Sequence, residues 1–343
     1  MLEARLLAAW FPPEGSPPGR LSRWLASRVA REATRRRAKL RRLPPGERPL
    51  VVVVGNLVVG GTGKTPLVAE LARELAARGC AVGILARGHR ARRRDARLVG
   101  AHDDAREHGD EPVMLAAATG LPVACGHDRG AALALLRRTH PGLALVISDD
   151  GMQHGRLPRS LELAVFDGRG AGNGAVLPAG PLREPLEHLA TMDALLWRDD
   201  EVEPRLPEGL VLPPRRFGFH LEAAGWRPVA APDAAPIQAR AFAARLRGQP
   251  VHALAGIARP ERFFATVRAC GIALDHAHAL PDHVVVGPGL LPAAPATVLM
   301  TAKDAVKFTH VADDRCWFLE MRAHLDPALP DWLEELLRGS PPD

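Results

Sequence analysis

The chain has 343 residues, of which 47% are apolar, and a formal net charge of +6 at pH 7. This size and apolar fraction predict a protein with one large or two ordinary globular domains. The absence of a run of about 18 apolar residues excludes a membrane-spanning helix. The four cysteines include no C-x-x-C pair, which argues against a disulfide framework or a zinc site and favours the reducing cytoplasm.

The first predicted element is a basic amphipathic helix over Arg20 to Leu43. Leu21, Trp24 and Val29 recur at helical spacing, and arginines fill most of the remaining positions. Such a helix can lie on an anionic lipid surface, where each nearby basic residue contributes about 1 kcal/mol. A solvated helix packed on the body of the protein is the alternative. We expect residues 1–43 to be a membrane-associating segment.

From Leu50 onward, short β-branched runs alternate with helical stretches. This alternation predicts βαβ crossovers and a mostly parallel sheet with flanking helices, whose ligand sites lie at the carboxyl ends of the strands. The predicted strands of this part are LVVVVG, AVGILA, PVACG, LALVIS, LELAVFD and MDALLW, and the predicted helices cover 66–78, 111–119 and 128–138.

A proline- and charge-rich passage from Arg198 to Pro214 predicts a connection out of the first domain. A second alternation follows it, with strands VHALAG, ALDHAHAL and TVLMTA and helices at 260–271 and 331–338. We therefore expect an α/β core over residues 44–218 and a smaller C-terminal α/β domain over residues 219–343.

The strand LVVVVG runs into GNLVVGGTGKTP, a glycine-rich turn that ends in a lysine and a threonine. Glycines let the backbone wrap an anion, lysine supplies a positive charge, and the threonine hydroxyl can bind Mg2+ at a helix start. Val58 stands where the usual phosphate-loop pattern has glycine, so the loop is a variant. We expect a P-loop NTPase-like fold with ATP and Mg2+ as cofactors. The predicted nucleotide-binding residues are Gly60, Gly61, Thr62, Gly63, Lys64 and Thr65.

A second signal is the pair Asp149 and Asp150 at the end of the apolar run LALVIS. Adjacent carboxylates are costly unless a cation offsets their charge, so one of the two is predicted to bind Mg2+. Two further clusters fall in predicted βα loops. The first is Asp110 with Glu111 in HGDEPVML, where Asp110 could instead be a helix cap. The second is Arg183 with Glu184 in LPAGPLREP, where Arg183 could instead be an ordinary surface residue.

Eight motifs occur along the chain in a fixed order: GNLVVGGTGKTP, RGHR, GDEP, DDGMQH, GNGAVLPAGPLREP, AGIARPERFF, LPDH and TAKDAVK. In this order and at roughly this spacing they resemble the tetraacyldisaccharide 4'-kinase family of lipid A biosynthesis. The resemblance covers about residues 1 to 335. It implies transfer of the γ-phosphate of ATP to the 4'-hydroxyl of a tetraacylated glucosamine disaccharide 1-phosphate, which gives lipid IVA.

The resemblance also implies roles for individual residues. Asp110 of the G-D-E-P motif would be the general base, and His283 of LPDH would assist it from the second domain. Lys64 and Arg183 would act on the phosphates. The residues near Mg2+ would be Thr65, Asp149, Asp150 and Glu184. For Lys303, Asp304 and Lys307 in TAKDAVK, nucleotide contact, interdomain pairing and a surface helix start are all open.

A substrate with acyl chains stays in the bilayer, so the resemblance implies a peripheral enzyme at the cytoplasmic face of the bacterial inner membrane. Its partners would be the lipid disaccharide and the anionic membrane surface, with no nucleic acid and no obligate protein partner. One rival hypothesis is an ATPase switch that hydrolyses ATP without lipid. Another is a nucleic-acid-binding protein, although Trp24 is the only aromatic residue among the arginines of the helix.

Overall fold

The computed structural model describes residues 9–11, 19–44, 46–88, 91–201, 203–281, 286–292 and 294–339. The strands are β1 (Leu50–Gly55), β2 (Val82–Ala86), β3 (Arg97–Val99), β4 (Val123–Cys125), β5 (Leu145–Asp149), β6 (Leu161–Phe166), β7 (Ala194–Arg198), β8 (Arg215–Pro228), β9 (Val251–Ala255), β10 (His276–Ala279), β11 (Thr297–Thr301) and β12 (Cys316–Leu325). The α-helices are α1 (Arg20–Ala38), α2 (Lys64–Ala77), α3 (Ala105–His108), α4 (Asp110–Thr119), α5 (Arg129–Thr139), α6 (Ala239–Arg245), α7 (Pro260–Ala269), α8 (Ala302–Phe308) and α9 (Ala328–Arg338), and short 3-10 helices cover Leu186–Thr191 and Pro288–Leu290.

All of these strands belong to one 12-stranded sheet in the order β10-β9-β11-β12-β8-β7-β6-β1-β5-β2-β4-β3. Neighbouring strands are parallel except for the pairs β12–β8 and β3–β4, which are antiparallel. The β12–β8 pair therefore joins two parallel regions, which we call the first half (β1 to β8) and the second half (β9 to β12). This architecture confirms the predicted α/β fold with a mostly parallel sheet and flanking helices.

Strand β1 lies at the centre of the first half, and its valines are buried on both faces of the sheet. Successive side chains of a strand point to opposite faces. Val52 and Val54 belong to one hydrophobic cluster with residues of α2, α4 and α9, whereas Val51 and Val53 belong to another with residues of α5 and α1. Helices therefore cover both faces, and the polar groups that follow β1 emerge at the edge of the sheet.

Helix α1 ends at Ala38, five residues before the predicted end at Leu43. The chain leaves the helix because Leu43 is buried and its backbone N–H donates to the carbonyl oxygen of Arg159 at 2.9 Å. Within the described ranges, no helix is both long enough and apolar enough to cross a bilayer. The basic segment instead packs its small residues Ala26 and Ala33 on the body of the protein.

Two long strands, β8 and β12, were not predicted. They pair with each other along most of their length, with an irregularity between Glu320 and Met321. Their partners are distant in sequence, and their residues are only partly buried, so neither strand has a clear apolar signature. The expected domain boundary between residues 218 and 219 falls inside β8, and α9 packs back on α2 of the first half. The division into three segments remains a prediction.

Candidate active site

The loop between β1 and α2 lies at the carboxyl end of the central strand. Gly60 has φ of 99° and Gly63 has φ of 85°, which is left-handed backbone that favours glycine. Helix α2 then begins at Lys64. The backbone N–H groups at the start of this helix have no intrahelical acceptor, so the loop and the helix end together can bind an anion.

The Lys64 side chain is buried, and its ammonium group is held inside the loop. Its Nζ lies 3.0 Å from Asn56 Oδ1 and 3.6 Å from Asp150 Oδ1. The amide of Asn56 also donates to the carbonyl oxygen of Gly60 at 3.3 Å. Asn56 therefore fixes both the lysine and the turn. Sequence analysis gave it no role, although it follows the strand directly in the motif GNL.

The acidic pair lies beside this loop because β5 is the parallel neighbour of β1, with Val54 opposite Asp149. Thr65 Oγ1 donates to Asp149 Oδ2 at 2.9 Å. In the part of the chain that the structure describes, Asp149 Oδ1 is buried without a hydrogen-bond partner. Burial raises the pKa of Asp149, and the charge of Glu111 raises it further.

Asp150 is held by cations. Its φ of 50° is left-handed, and Arg183 Nη1 donates to its Oδ1 and Oδ2 at 2.9 and 3.0 Å. Burial opposes its charge, but Lys64 and Arg183 offset that effect and lower the pKa of Asp150 well below the usual range. From behind, the buried Arg129 donates to the Asp150 carbonyl oxygen at 3.4 Å and to Ser148 Oγ at 2.7 Å. Arg129 thus supports the turn that presents the pair.

The segment with Arg183 and Glu184 runs along the phosphate loop. The backbone N–H of Arg183 donates to the carbonyl oxygen of Leu57 at 2.6 Å, and that of Val59 donates to Pro181 at 2.9 Å. Glu184 is buried, and its Oε1 accepts from Gln153 Nε2 at 2.8 Å. The predicted residues Arg183 and Glu184 are thereby brought to the same edge of the sheet as the acidic pair.

Asp110 is the first residue of α4 and follows Gly109, whose φ is 94°. Helix α4 packs against α2, which carries the end of the phosphate loop. The next residue, Glu111, pairs with Lys303 of α8 at 3.6 Å between Oε1 and Nζ. Of the possibilities considered for Lys303, the structure therefore shows the pairing across the two halves, as an ion pair with Glu111. His283 lies outside the described residues, so its contact with Asp110 stays a prediction.

A second contact between the halves was missed by sequence analysis. Arg259 of the AGIARPERFF motif donates from Nη2 to the carbonyl oxygen of Gly61 at 2.8 Å and to Asp167 Oδ2 at 2.6 Å. Asp167 follows β6, and it also binds Arg169 at 3.0 Å. The motif drew attention to this segment, but the contact could not be predicted because Arg259 and the loop are far apart in sequence.

These residues fit a hydrated magnesium ion beside a triphosphate. The unpartnered buried Oδ1 of Asp149 and the neighbouring Thr65 hydroxyl are hard oxygen ligands of the type that Mg2+ prefers. Lys64 and the helix N-terminus supply the matching positive potential for phosphate. The arrangement can therefore bind a nucleoside triphosphate with a divalent cation.

Comparisons with known proteins agree with this chemistry. The profile of the tetraacyldisaccharide-1-P 4'-kinase family matches residues 20–338. A tetraacyldisaccharide 4'-kinase of Chromobacterium violaceum is 42% identical over 94% of this chain and 95% of that protein. One of Alkalilimnicola ehrlichii is 48% identical over 84% of this chain and 82% of that protein.

A solved structure shows the same fold. The crystal structure of the Aquifex aeolicus LpxK protein in complex with ATP has a TM-score of 0.74 and 25% identity, and the match covers 98% of this chain and 100% of that one. The family profile, the curated relatives and this structure agree over nearly the whole chain. The chain therefore belongs to the tetraacyldisaccharide-1-P 4'-kinase family.

Proposed function

We propose that this kinase transfers the γ-phosphate of ATP to the 4'-hydroxyl of tetraacyldisaccharide 1-phosphate and thereby forms lipid IVA. The main support from the structure is the cluster of Lys64, Asp149 and Asp150 at the end of two adjacent parallel strands. The relatives named tetraacyldisaccharide 4'-kinase support the acceptor, and the neighbour crystallised with ATP supports the donor.

Phosphoryl transfer is mainly a matter of positioning and of charge stabilisation. Lys64 is buried and fixed by Asn56, so it meets the phosphates without a reorganisation cost. Arg183 lies on the same side, bound to Asp150, and supplies a second positive charge. Thr65 and Asp149 would hold Mg2+, with Asp150 and Glu184 nearby, and the ion would offset charge on the transferring group.

The acceptor hydroxyl must lose a proton during transfer, and Asp110 is the proposed base. A carboxylate within hydrogen-bond reach of a hydroxyl can take its proton as the new bond to phosphorus forms. Asp110 lies at the start of α4, next to the Glu111–Lys303 pair that connects the two halves. We propose that His283 orients Asp110 from the second half.

We also propose that the enzyme is peripheral at the cytoplasmic face of the inner membrane, with α1 as the docking element. The helix packs Ala26 on the body and turns large apolar side chains outward. Leu21 is 72% exposed, Trp24 53% and Leu25 39%. An outward apolar patch among arginines favours a lipid interface over a simply solvated helix.

The decisive experiment is transfer from γ-labelled ATP with Mg2+ to tetraacyldisaccharide 1-phosphate in mixed micelles, with products resolved by thin-layer chromatography. Wild type is compared with Lys64→Ala. Label in the lipid that falls by at least about 100-fold in the variant supports the proposal. Label released only as free phosphate, with or without lipid, would favour the ATPase switch and overturn the acceptor assignment.

A further inference from the structure

Helix α1, the proposed docking element, also reaches the active site. Its last turns carry Thr34 and Arg37, which lie three residues apart and therefore share one face of the helix. That face is turned toward the segment that contains Glu184 and the 3-10 helix after it. Arg37, Gln153 and Glu184 line the same narrow gap between α1 and the site.

Arg37 is nearly buried and contacts this segment at several points. Its Nη1 lies 3.4 Å from Glu184 Oε2, its Nη2 donates to Glu162 Oε2 at 2.6 Å, and its Nε donates to Thr191 Oγ1 at 2.9 Å. Glu162 is buried as well and also pairs with Arg159. These contacts fix the orientation of the guanidinium group toward Glu184, because its N–H donors are held in one rigid plane.

A second route runs from α1 to the same carboxylate. Thr34 Oγ1 lies 3.2 Å from His188 Nε2, and His188 Nδ1 lies 2.9 Å from Glu184 Oε2. Burial opposes the charge of Glu184, but hydrogen bonds from His188 and Gln153 and the charge of Arg37 lower its pKa. Two residues of α1 therefore set the environment of one oxygen of Glu184, directly and through an imidazole.

The other oxygen of Glu184 leads into the phosphate site. Gln153 Nε2 donates to Glu184 Oε1 at 2.8 Å, and the amide oxygen of Gln153 accepts from Arg183 Nη1 at 3.3 Å. The same Arg183 nitrogen binds both oxygens of Asp150. A continuous series of polar contacts thus connects Arg37 on the helix with the acidic pair.

We propose that Arg37 is a positioning residue, through which the seating of α1 sets the orientation of Glu184 and, through Gln153, of Arg183. The helix that meets the lipid is then also a wall of the catalytic site. Displacement of α1 removes Arg37 and Thr34 together and leaves Glu184 with fewer fixed donors. The inference rests on the proposed function only for its readout, which is phosphate transfer.

The test is a double-mutant cycle with Arg37→Gln, Glu184→Gln and the combined variant, assayed for kcat and for lipid KM in mixed micelles. If Arg37 acts through Glu184, the single changes are not additive. We expect Arg37→Gln to lower kcat about tenfold, Glu184→Gln about 100-fold, and the double variant to match Glu184→Gln within about twofold. Lipid KM and co-sedimentation with anionic vesicles should stay within about twofold of wild type for Arg37→Gln.

Arg42→Gln is the matched control. Arg42 also contacts Glu162, at 3.5 Å, and it binds Asp193 at 2.7 Å, but among the described residues it forms no ion pair with Glu184. Its loss removes a comparable ion pair beyond the end of α1, so kcat should stay within about twofold of wild type. Equal losses in Arg42→Gln and Arg37→Gln would overturn the proposal, because both would then report only the attachment of the helix.

Thr34→Val is a second test that does not depend on the folding of the arginine variants. It removes the hydroxyl beside His188 without changing charge. We expect kcat to fall about threefold, and this loss to vanish in the Glu184→Gln background. Multiplicative losses in both cycles, or a change confined to vesicle binding and lipid KM, would overturn the positioning role. A wild type that never labels lipid would instead refute the proposed function.

Discussion

The two halves of the sheet each place an aspartate at or just beyond the carboxyl end of a buried parallel strand, but the two carboxylates differ in the partners that they have. In the second half, Asp304 is fully buried and accepts from the Gly256 N–H at 3.0 Å and from Thr301 Oγ1 at 2.7 Å. Lys307 Nζ lies 2.5 Å from its other oxygen. These partners all belong to the second half, and Asp304 lies in the first turn of α8.

In the first half, Asp149 has the Thr65 hydroxyl on one oxygen, while its buried Oδ1 has no donor among the described residues. Its neighbour Asp150 is bound by Arg183 and lies near Lys64. A strand followed by an acid therefore does not by itself mark a site. Among the described residues, the Oδ1 atoms of Asp149 and Asp304 both lack a hydrogen bond, but only that of Asp304 has an ion-pair partner. What marks the site is a buried acid with an oxygen left without either kind of partner beside a cationic loop.

The largest expected effect concerns Asp110, the proposed base, which lies in the first half. Asp110→Asn should lower phosphate transfer about 1,000-fold, since an amide cannot take the proton of the acceptor hydroxyl. Binding of ATP, followed by calorimetry, should stay within about threefold. Asp104→Asn is a suitable control because Asp104 accepts from the Arg106 N–H and caps α3. Transfer at the wild-type rate in Asp110→Asn would remove Asp110 as the base.

The second prediction tests the structural acid. Asp304→Asn leaves Lys307 buried without its counter-charge, which should lower the free energy of unfolding by about 3 kcal/mol. Denaturant unfolding measures this change. Activity per folded molecule should remain within about twofold of wild type, because the contacts of Asp304 are with Gly256, Thr301 and Lys307 and not with the phosphate loop. A large loss of kcat with unchanged stability would reverse the assignment of the two acids.

The corresponding substitution in the first half is Asp149→Asn. Transfer should fall about 100-fold, because the amide loses the charge that faces the cation and phosphates. Stability in metal-free, nucleotide-free buffer should be equal to or above that of wild type, since the change removes a buried charge that the fold leaves partly unsatisfied. Thermal unfolding of both proteins measures it. A clear loss of stability would indicate that Asp149, like Asp304, serves the fold.

The smallest expected effect concerns the outer face of α1, which has no counterpart in the second half. Trp24→Ser should weaken binding to anionic vesicles about tenfold, because it removes an exposed aromatic side chain from the interface. Turnover on a short-chain, soluble acceptor should not change. Val211→Ser provides a control, since Val211 is 66% exposed but lies outside the helix. Equal losses in the two variants would argue against docking through α1.

Local signals made much of the first half predictable. The phosphate loop and the acidic pair are each contained in about a dozen residues, and βαβ geometry requires that the ends of adjacent parallel strands meet. The order of Lys64, Thr65 and Asp149 in the site therefore followed from short motifs. Arg183 and Glu184 were found only through the resemblance, because their segment has no periodic pattern.

Contacts between distant segments could not be predicted in the same way. The pairing of β8 with β12 joins residues about a hundred positions apart, and half-exposed strands have weak patterns. The arginine-rich helix likewise gave no indication that Arg37 is the member that meets Glu162 and Glu184. When many arginines occur close together, the sequence does not indicate which of them makes a particular contact.

The antiparallel pair of β8 and β12 has a mechanical consequence. The chain leaves the first half through β8 and returns through β12 to α9, so both crossings run through one hydrogen-bonded ribbon. The pairing is regular except between Glu320 and Met321, where the register shifts. Separation of the two halves would therefore break backbone hydrogen bonds along this ribbon. The Lys303–Glu111 and Arg259–Gly61 contacts add two further links between the halves.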